Sequence, residues 1–264
     1  MLPPFVNPDW LSDHPEAVLV DVRSYPDGRS GREAYEKAHL PGAVFVDLDA
    51  VLAAPPTRED GRHPMPTPEV FAAGLAAAGI GDDDTVVAYD DDSNVFAARL
   101  VWMLRVTGHA AALLDGGYVG WRGRRDPGVT TRPAASFTPT PWPADRLASI
   151  DDLGGQLLLD ARPAPRFRGE IEPLDPRPGH VPGAVSLPCR DNVGPDGRLL
   201  PIPELRRRFA EVGVDGPWVS MCGSGVTACH SLLLAEHLRL PAGTLYPGSW
   251  SQWAATDRPA ALGE

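Results

Sequence analysis

Cysteine is scarce in this chain: Cys189, Cys222 and Cys229 are the only three in 264 residues. A small, odd number supports no disulfide framework. The opening Met-Leu-Pro-Pro-Phe-Val-Asn-Pro has neither the basic nor the apolar stretch of a secretory leader. Together these features predict free thiols in a reducing, cytoplasmic setting. Long apolar runs are missing as well. None approaches the ~20 residues of a membrane span, so no membrane partner is expected. Positive charge is not concentrated either. Twenty-four Lys and Arg stand against 35 Asp and Glu, a formal charge of −11. The longest basic run, Arg206-Arg207-Arg208, falls on the solvated face of a predicted amphipathic helix. This balance argues against nucleic acid as a partner. His230 and His237 are a heptad apart with no companion carboxylate or cysteine at ligand spacing, so no metal is expected. The Gly-Lys-(Ser/Thr) element of a nucleotide-binding loop is also missing, and nothing in the sequence signals a cofactor.

What the chain does have is repetition. Val18-Leu19-Val20-Asp21-Val22-Arg23 is matched by Leu157-Leu158-Leu159-Asp160-Ala161-Arg162, at an offset of 139. His39-Leu40-Pro41-Gly42-Ala43-Val44 is matched by His180-Val181-Pro182-Gly183-Ala184-Val185, at 141. The run from Thr85 to Asp90 matches that from Pro217 to Cys222, and the run from Asp115 to Trp121 matches that from Pro247 to Trp253, both at 132. Four matches in one order imply a duplicated domain. The fall from 141 to 132 places about nine extra residues in the first half, and the Pro-rich stretch 53–68 is where they are expected.

Each half alternates short apolar runs with helical patterns. Residues 18–22, 43–46, 85–89, 111–114 and 217–221 read as buried strands; 68–78, 95–107, 203–212 and 226–238 read as helices. Pro68 and Pro203 suit first helical turns. Such alternation predicts an α/β fold built on a mainly parallel sheet flanked by helices. Ligands of such sheets sit beyond the carboxyl ends of the strands. The predicted domains are residues 1–130 and 140–264, with 122–143 as the linker.

The chemistry centres on Cys222-Gly223-Ser224-Gly225-Val226-Thr227. The thiol falls on a tight loop between a strand and a helix. Gly223 and Gly225 let successive N–H groups curl into an anion-binding nest, and the helix N-terminus adds positive potential. Both favour a negatively charged sulfur on Cys222, whether thiolate or persulfide. Cys229 is placed two helical turns further on as a small core residue, and Cys189 after a strand. Trp121, Trp250 and Trp253 read as packing anchors, and His39 and His180 as residues that fix turns.

These elements resemble the tandem-domain rhodanese superfamily: the Cys loop, the two His-x-Pro-Gly-Ala elements and the late Gly248-Ser249-Trp250-Ser251-Gln252-Trp253. The resemblance implies two rhodanese-like domains with the active site at their interface and only the second domain catalytic. The first-half equivalent of Cys222 is Asp90, which cannot carry sulfur. Within the superfamily the loop resembles the 3-mercaptopyruvate sulfurtransferases, because Gly223 and Ser224 are neutral where thiosulfate enzymes have basic residues. The resemblance implies that Arg166 binds the donor's carboxylate, with Arg177 as the second arginine or Arg168 in its stead. An arginine fork suits a carboxylate. Main-chain N–H groups of Gly223, Gly225, Val226 and Thr227 are expected to hold charge on the substrate. A proton-handling set of Ser224, His63 and Asp49 is also implied, with His63 and Asp49 contributed by the first half.

The expected activity is transfer of sulfur from 3-mercaptopyruvate, through a Cys222 persulfide, to cyanide, a small thiol or a thioredoxin-like protein. Thiosulfate is the alternative donor. A persulfide carrier fed by a desulfurase is the reading from another class. A Cys-x5-Arg phosphatase needs an arginine where Ala228 stands.

Overall fold

In the computed structural model, which describes residues 2–264, the apolar four-residue runs become inner strands, buried throughout except at Leu157. The chain divides into two compact units. The first takes in the chain up to Ala54, Pro66–Trp142 and Gly194–Leu199. The second takes in Pro55–Met65, Pro143–Val193 and Leu200–Glu264. Neither unit is one continuous stretch. Of residues 122–143, read as a linker, 122–142 lack helix or strand but pack with the first unit. The Thr130 N–H donates to the Tyr35 hydroxyl, and the Arg132 Nε to the Gly79 carbonyl.

The first unit has strands β1 (Phe5–Val6), β2 (Val18–Asp21), β3 (Val44–Phe45), β4 (Val86–Tyr89) and β5 (Ala111–Leu114). They form one parallel sheet in the order β1-β5-β4-β2-β3. β2, β4 and β5 are buried throughout, which is why they read as unbroken apolar runs and not as alternating ones. Helices α1 (Pro8–Asp13), α2 (Gly31–Lys37), α3 (Leu48–Val51), α4 (Pro68–Ala77), α5 (Ala97–Val106) and α6 (Gly117–Gly120) complete it. Asn7, Ser30, Asp47 and Thr67 cap the first four, each accepting a backbone N–H in the following turn. α5 is buried from Ala97 to Leu104 and packs on β4 and β5.

The second unit repeats the plan without the outer strand. β6 (Leu157–Asp160), β7 (Val185–Ser186), β8 (Trp218–Met221) and β9 (Gly243–Leu245) form a parallel sheet in the order β7-β6-β8-β9. Helices α7 (Ala164–Phe167), α8 (Ile202–Glu211), α9 (Ala228–His237) and α10 (Ser249–Ala254) follow. α9 is buried from Ala228 to Ala235 and packs on β8 and β9. Trp250 and Trp253 join Val219, Met221 and Tyr246 in the core.

The repeated motifs have one structural meaning in both units. Arg23 forks onto Asp21, with Nη2 at 2.7 Å from Oδ2, and donates to the Ala38 carbonyl at 2.7 Å. Arg162 does the same with Asp160 at 2.7 Å and the Gly179 carbonyl at 2.8 Å. Each pair ties the end of an inner strand to the residue before the His-x-Pro-Gly turn. His39 stacks on Tyr35 and shares a hydrogen bond with its carbonyl; His180 does so with Phe167. Both histidines thus anchor turns, as the sequence predicts.

Candidate active site

Cys222 directly follows β8, the strand between β6 and β9, at its carboxyl end. Its side chain is buried and its thiol is free. The loop is held from one side by α10. The Cys222 N–H donates to Ser249 Oγ at 3.1 Å, while its carbonyl and that of Gly223 accept the N–H groups of Trp250 and Ser251. Ser249 adopts φ +52°, the left-handed region, and this backbone aims its hydroxyl at Cys222. Gly225 has φ +74°, and a Cβ there would run into the Pro247 backbone, 2.8 Å from its Cα. No other residue fits that corner of the loop. Val226 is buried, and Thr227 caps α9 with its backbone alone.

The first unit shows what such a loop holds. Asp90 follows β4 as Cys222 follows β8. Its Oδ1 accepts the N–H groups of Asp92 and Asn94 at 2.7 and 2.8 Å, and its Oδ2 those of Phe96 and Ala97 at 2.8 and 2.9 Å. Four main-chain donors converge on one carboxyl group. At the offset of 132, Asp92 and Asn94 correspond to Ser224 and Val226. Burial pushes the Asp90 carboxyl up to about 7, and the N–H donors oppose that rise. In the first unit the loop is therefore a cradle of N–H donors, filled by its own side chain.

The segment Pro55–Met65 packs with the second unit and reaches the Cys loop. Gly61 docks against α10, and the Arg62 N–H donates to Ser251 Oγ at 3.1 Å. Arg58 and Gln252 fasten the same segment, through the Ala255 and Glu59 carbonyls. The result places His63 Nδ1 2.7 Å from Ser224 Oγ, within hydrogen-bond reach. His63, a residue of the first half by sequence, thus belongs by packing to the second unit. Asp49 stands exposed on α3 in the first unit.

Arg166, in the last turn of α7, lies beside the loop. Its Nη1 is 3.4 Å from where a Cβ on Gly223 would stand. Its other nitrogens are engaged: Nη2 donates to Glu172 at 2.6 Å and Asp175 at 3.1 Å, and Nε to Glu172 at 3.3 Å. Arg162 joins through Glu172 at 3.5 Å, and Arg62 Nη1 pairs with Asp175. The two candidates for the second arginine, Arg177 and Arg168, are turned elsewhere. Arg177 donates to the carbonyls of Trp253, Ala254 and Arg258, and its guanidinium fastens the C-terminal segment over Trp250. Arg168 pairs with Glu170 at 2.7 Å, partly in solvent. Spacing along the chain put these residues near Arg166; it could not tell which way each guanidinium points. Arg62, Glu172, Asp175 and Ser249 were missed. Of these, Arg62 alone adjoins a residue that the sequence singled out, His63, but nothing in the sequence marked Arg62 itself.

Cys189 and Cys229 are also buried, and Cys229 Sγ lies 3.4 Å from the Gly225 carbonyl, as a small core residue behind the loop.

The Rhodanese-like domain matches this chain twice, over residues 7–124 and 143–256. The chain belongs to the rhodanese family. It is 40% identical to a probable 3-mercaptopyruvate sulfurtransferase of Pseudomonas aeruginosa, over 95% of this chain and 94% of that one. It is 36% identical to a putative thiosulfate sulfurtransferase of Mycobacterium tuberculosis, over 93% of this chain and 90% of the relative. Among solved structures it is similar to the Escherichia coli enzyme SseA, described among the 3-mercaptopyruvate sulfotransferases. The TM-score is 0.81 and the identity 33%, covering 94% of this chain and 99% of that one. Both units therefore carry the rhodanese fold, and the second is the one whose loop opens with a cysteine.

Proposed function

We propose that this rhodanese-family chain is a sulfurtransferase that takes sulfur from 3-mercaptopyruvate onto Cys222. The observation that carries the reading is the joining of three features in one unit: a buried cysteine on the loop that corresponds to the Asp90 cradle, a His63–Ser224 pair beside it, and an arginine over Gly223. The 3-mercaptopyruvate sulfurtransferases among the relatives support the same donor.

Arg166 holds the donor's carboxylate. The Cys222 thiolate attacks the donor's sulfur, a new S–S bond forms and the donor's C–S bond breaks. The electron pair of that bond passes to carbon, giving pyruvate enolate. The thiol proton, relayed through Ser224 and His63, ends on the methylene carbon and pyruvate leaves. The persulfide anion rests among the loop N–H groups. A small thiol, a thioredoxin-like thiol or cyanide then attacks the outer sulfur and Cys222 returns as thiolate. Protons and electrons balance without a cofactor.

Steady-state sulfur transfer to cyanide tests this, with 3-mercaptopyruvate and thiosulfate compared on the wild type and on Arg166→Ala and Cys222→Ser proteins. The expected result is preference for mercaptopyruvate, erosion of that preference in Arg166→Ala, and no turnover in Cys222→Ser. Preference for thiosulfate would overturn the donor assignment. Turnover of neither donor would replace the enzyme reading with that of a protein-fed carrier.

A further inference from the structure

Resting on the sulfurtransferase reading, we propose that Ser251 is the positioning residue that sets the His63–Ser224 contact, by holding from α10 the residue before each of them. Its N–H donates to the Gly223 carbonyl at 2.8 Å, one residue before Ser224. Its Oγ accepts the Arg62 N–H at 3.1 Å, one residue before His63. One buried residue, 6% exposed, thus spans the loop that carries Cys222 and the segment that carries the imidazole. The hydroxyl has a single proton, which it donates to the Gly248 carbonyl at 2.9 Å. Toward Arg62 it can therefore only accept, and the direction of that bond is fixed. Gly61 adds contact of backbone on helix. It adopts φ +89°, and a Cβ there would lie 2.5 Å from Ser251 Oγ and 2.8 Å from the Gly248 carbonyl oxygen. The remaining fastenings, from Gln252 to the Glu59 carbonyl and from Arg58 to the Ala255 carbonyl, are exposed to solvent and lie further from His63.

The first unit supplies the contrast. The turn Asp60-Gly61-Arg62 recurs as Asp196-Gly197-Arg198, at an offset of 136. This second copy packs with the first unit, where a Cβ on Gly197 would lie 2.8 Å from the Gly116 carbonyl oxygen. Gly116 corresponds to Gly248 at the offset of 132, so the same turn docks on the same corner in both units. The equivalent of Ser251 there is Val119, 46% exposed. The equivalent of His63 is Leu199, whose N–H donates to Asp115 Oδ1 at 2.8 Å. Docking of the turn is thus a property of the duplicated fold. The buried hydroxyl stands in the unit where that turn brings an imidazole to the cysteine loop.

Ser251→Ala tests the assignment, since it removes the acceptor and leaves the Ser251 N–H bond to Gly223 in place. The kcat with 3-mercaptopyruvate is expected to fall about 10-fold, the effect of one lost hydrogen bond whose donor is left stranded. The kcat with thiosulfate, whose leaving group takes no proton on carbon, is expected to stay within about twofold. In a His63→Asn background, with no imidazole to place, Ser251→Ala is expected to cost nothing further. Unchanged turnover in Ser251→Ala overturns the proposal; so do equal losses with both donors, or losses that add in full to those of His63→Asn. Hydrogen exchange at the Arg62 amide reads the same bond without turnover. Exchange about 10-fold faster in Ser251→Ala is expected, with the amides of α9 unchanged. Equal exchange at Arg62 in the two proteins overturns the proposal. If wild type turns over neither donor while Arg62 exchange still depends on Ser251, the enzyme reading fails and the bracket stands.

Discussion

His63 and Ser224 are 161 residues apart in sequence, and their Nδ1 and Oγ atoms meet at 2.7 Å. A hydroxyl and an imidazole at that distance pass a proton readily. Ser224→Ala and His63→Asn are each expected to lower turnover with mercaptopyruvate by about 100-fold or more, the usual share of acid–base catalysis. Turnover with thiosulfate, whose leaving group needs no proton on carbon, should fall much less. Because the two residues act as one unit, the double variant should lose little beyond either single one. Equal losses with both donors would remove the proton relay from the mechanism.

Gly225→Ala is expected to collapse the Cys222 loop. The new methyl would meet the Pro247 backbone, and φ +74° adds strain of about 1–3 kcal/mol. Persulfide loading, followed by intact-mass spectrometry, should fall to background while the protein stays folded by circular dichroism. Normal loading would show that the loop tolerates a different path.

Arg23→Met is expected to destabilise the first unit by about 3–5 kcal/mol, because it strands the buried Asp21 carboxylate. Asp21→Leu combined with Arg23→Met should recover most of that loss. Urea unfolding of the three proteins measures it. A small loss in the single variant would mean that solvent reaches Asp21 when its partner is gone.

Asp90 gives a pH signature. Its carboxyl is pushed up from 3.8 to about 7, so between those values the folded chain keeps a proton that the unfolded chain has lost. The contribution of Asp90 to stability is greatest at the acid end, falls as pH rises through this window and is flat above about 7. Compared with Asp90→Asn, which cannot titrate, wild type should lose on the order of 4 kcal/mol between pH 4 and pH 8. Unfolding measurements on both proteins across that range decide it. A difference independent of pH would mean that the four N–H donors keep Asp90 ionised throughout.

The fold was largely legible because duplication printed four of its motifs twice. β2, β4 and β5 are buried on both faces and read as plain apolar runs. β1 and β7, with two residues each, were missed; β3 is just as short but sits in the longer apolar run 43–46. β9 was also missed; it holds three residues and opens with glycine. At the site, Cys222 and Ser224 announce themselves because loop chemistry is local. Arg62 did not, since its place depends on Gly61 docking against α10, a contact across 190 residues of chain. Arg177 misled for the converse reason. It is close to Arg166 in sequence, but its hydrogen bonds go to the chain end.

The stretch Pro55–Met65 has a practical meaning for anyone who would dissect this protein. A fragment starting at Pro143 would carry Cys222, its loop and Arg166, yet would be born without His63 and Arg62. Cut at the repeat boundary, the chain would part His63 from Ser224. The half whose loop opens with Asp90 and not with a cysteine holds, in its own stretch of sequence, the imidazole that stands against the other half's serine, so neither half alone can assemble that pair.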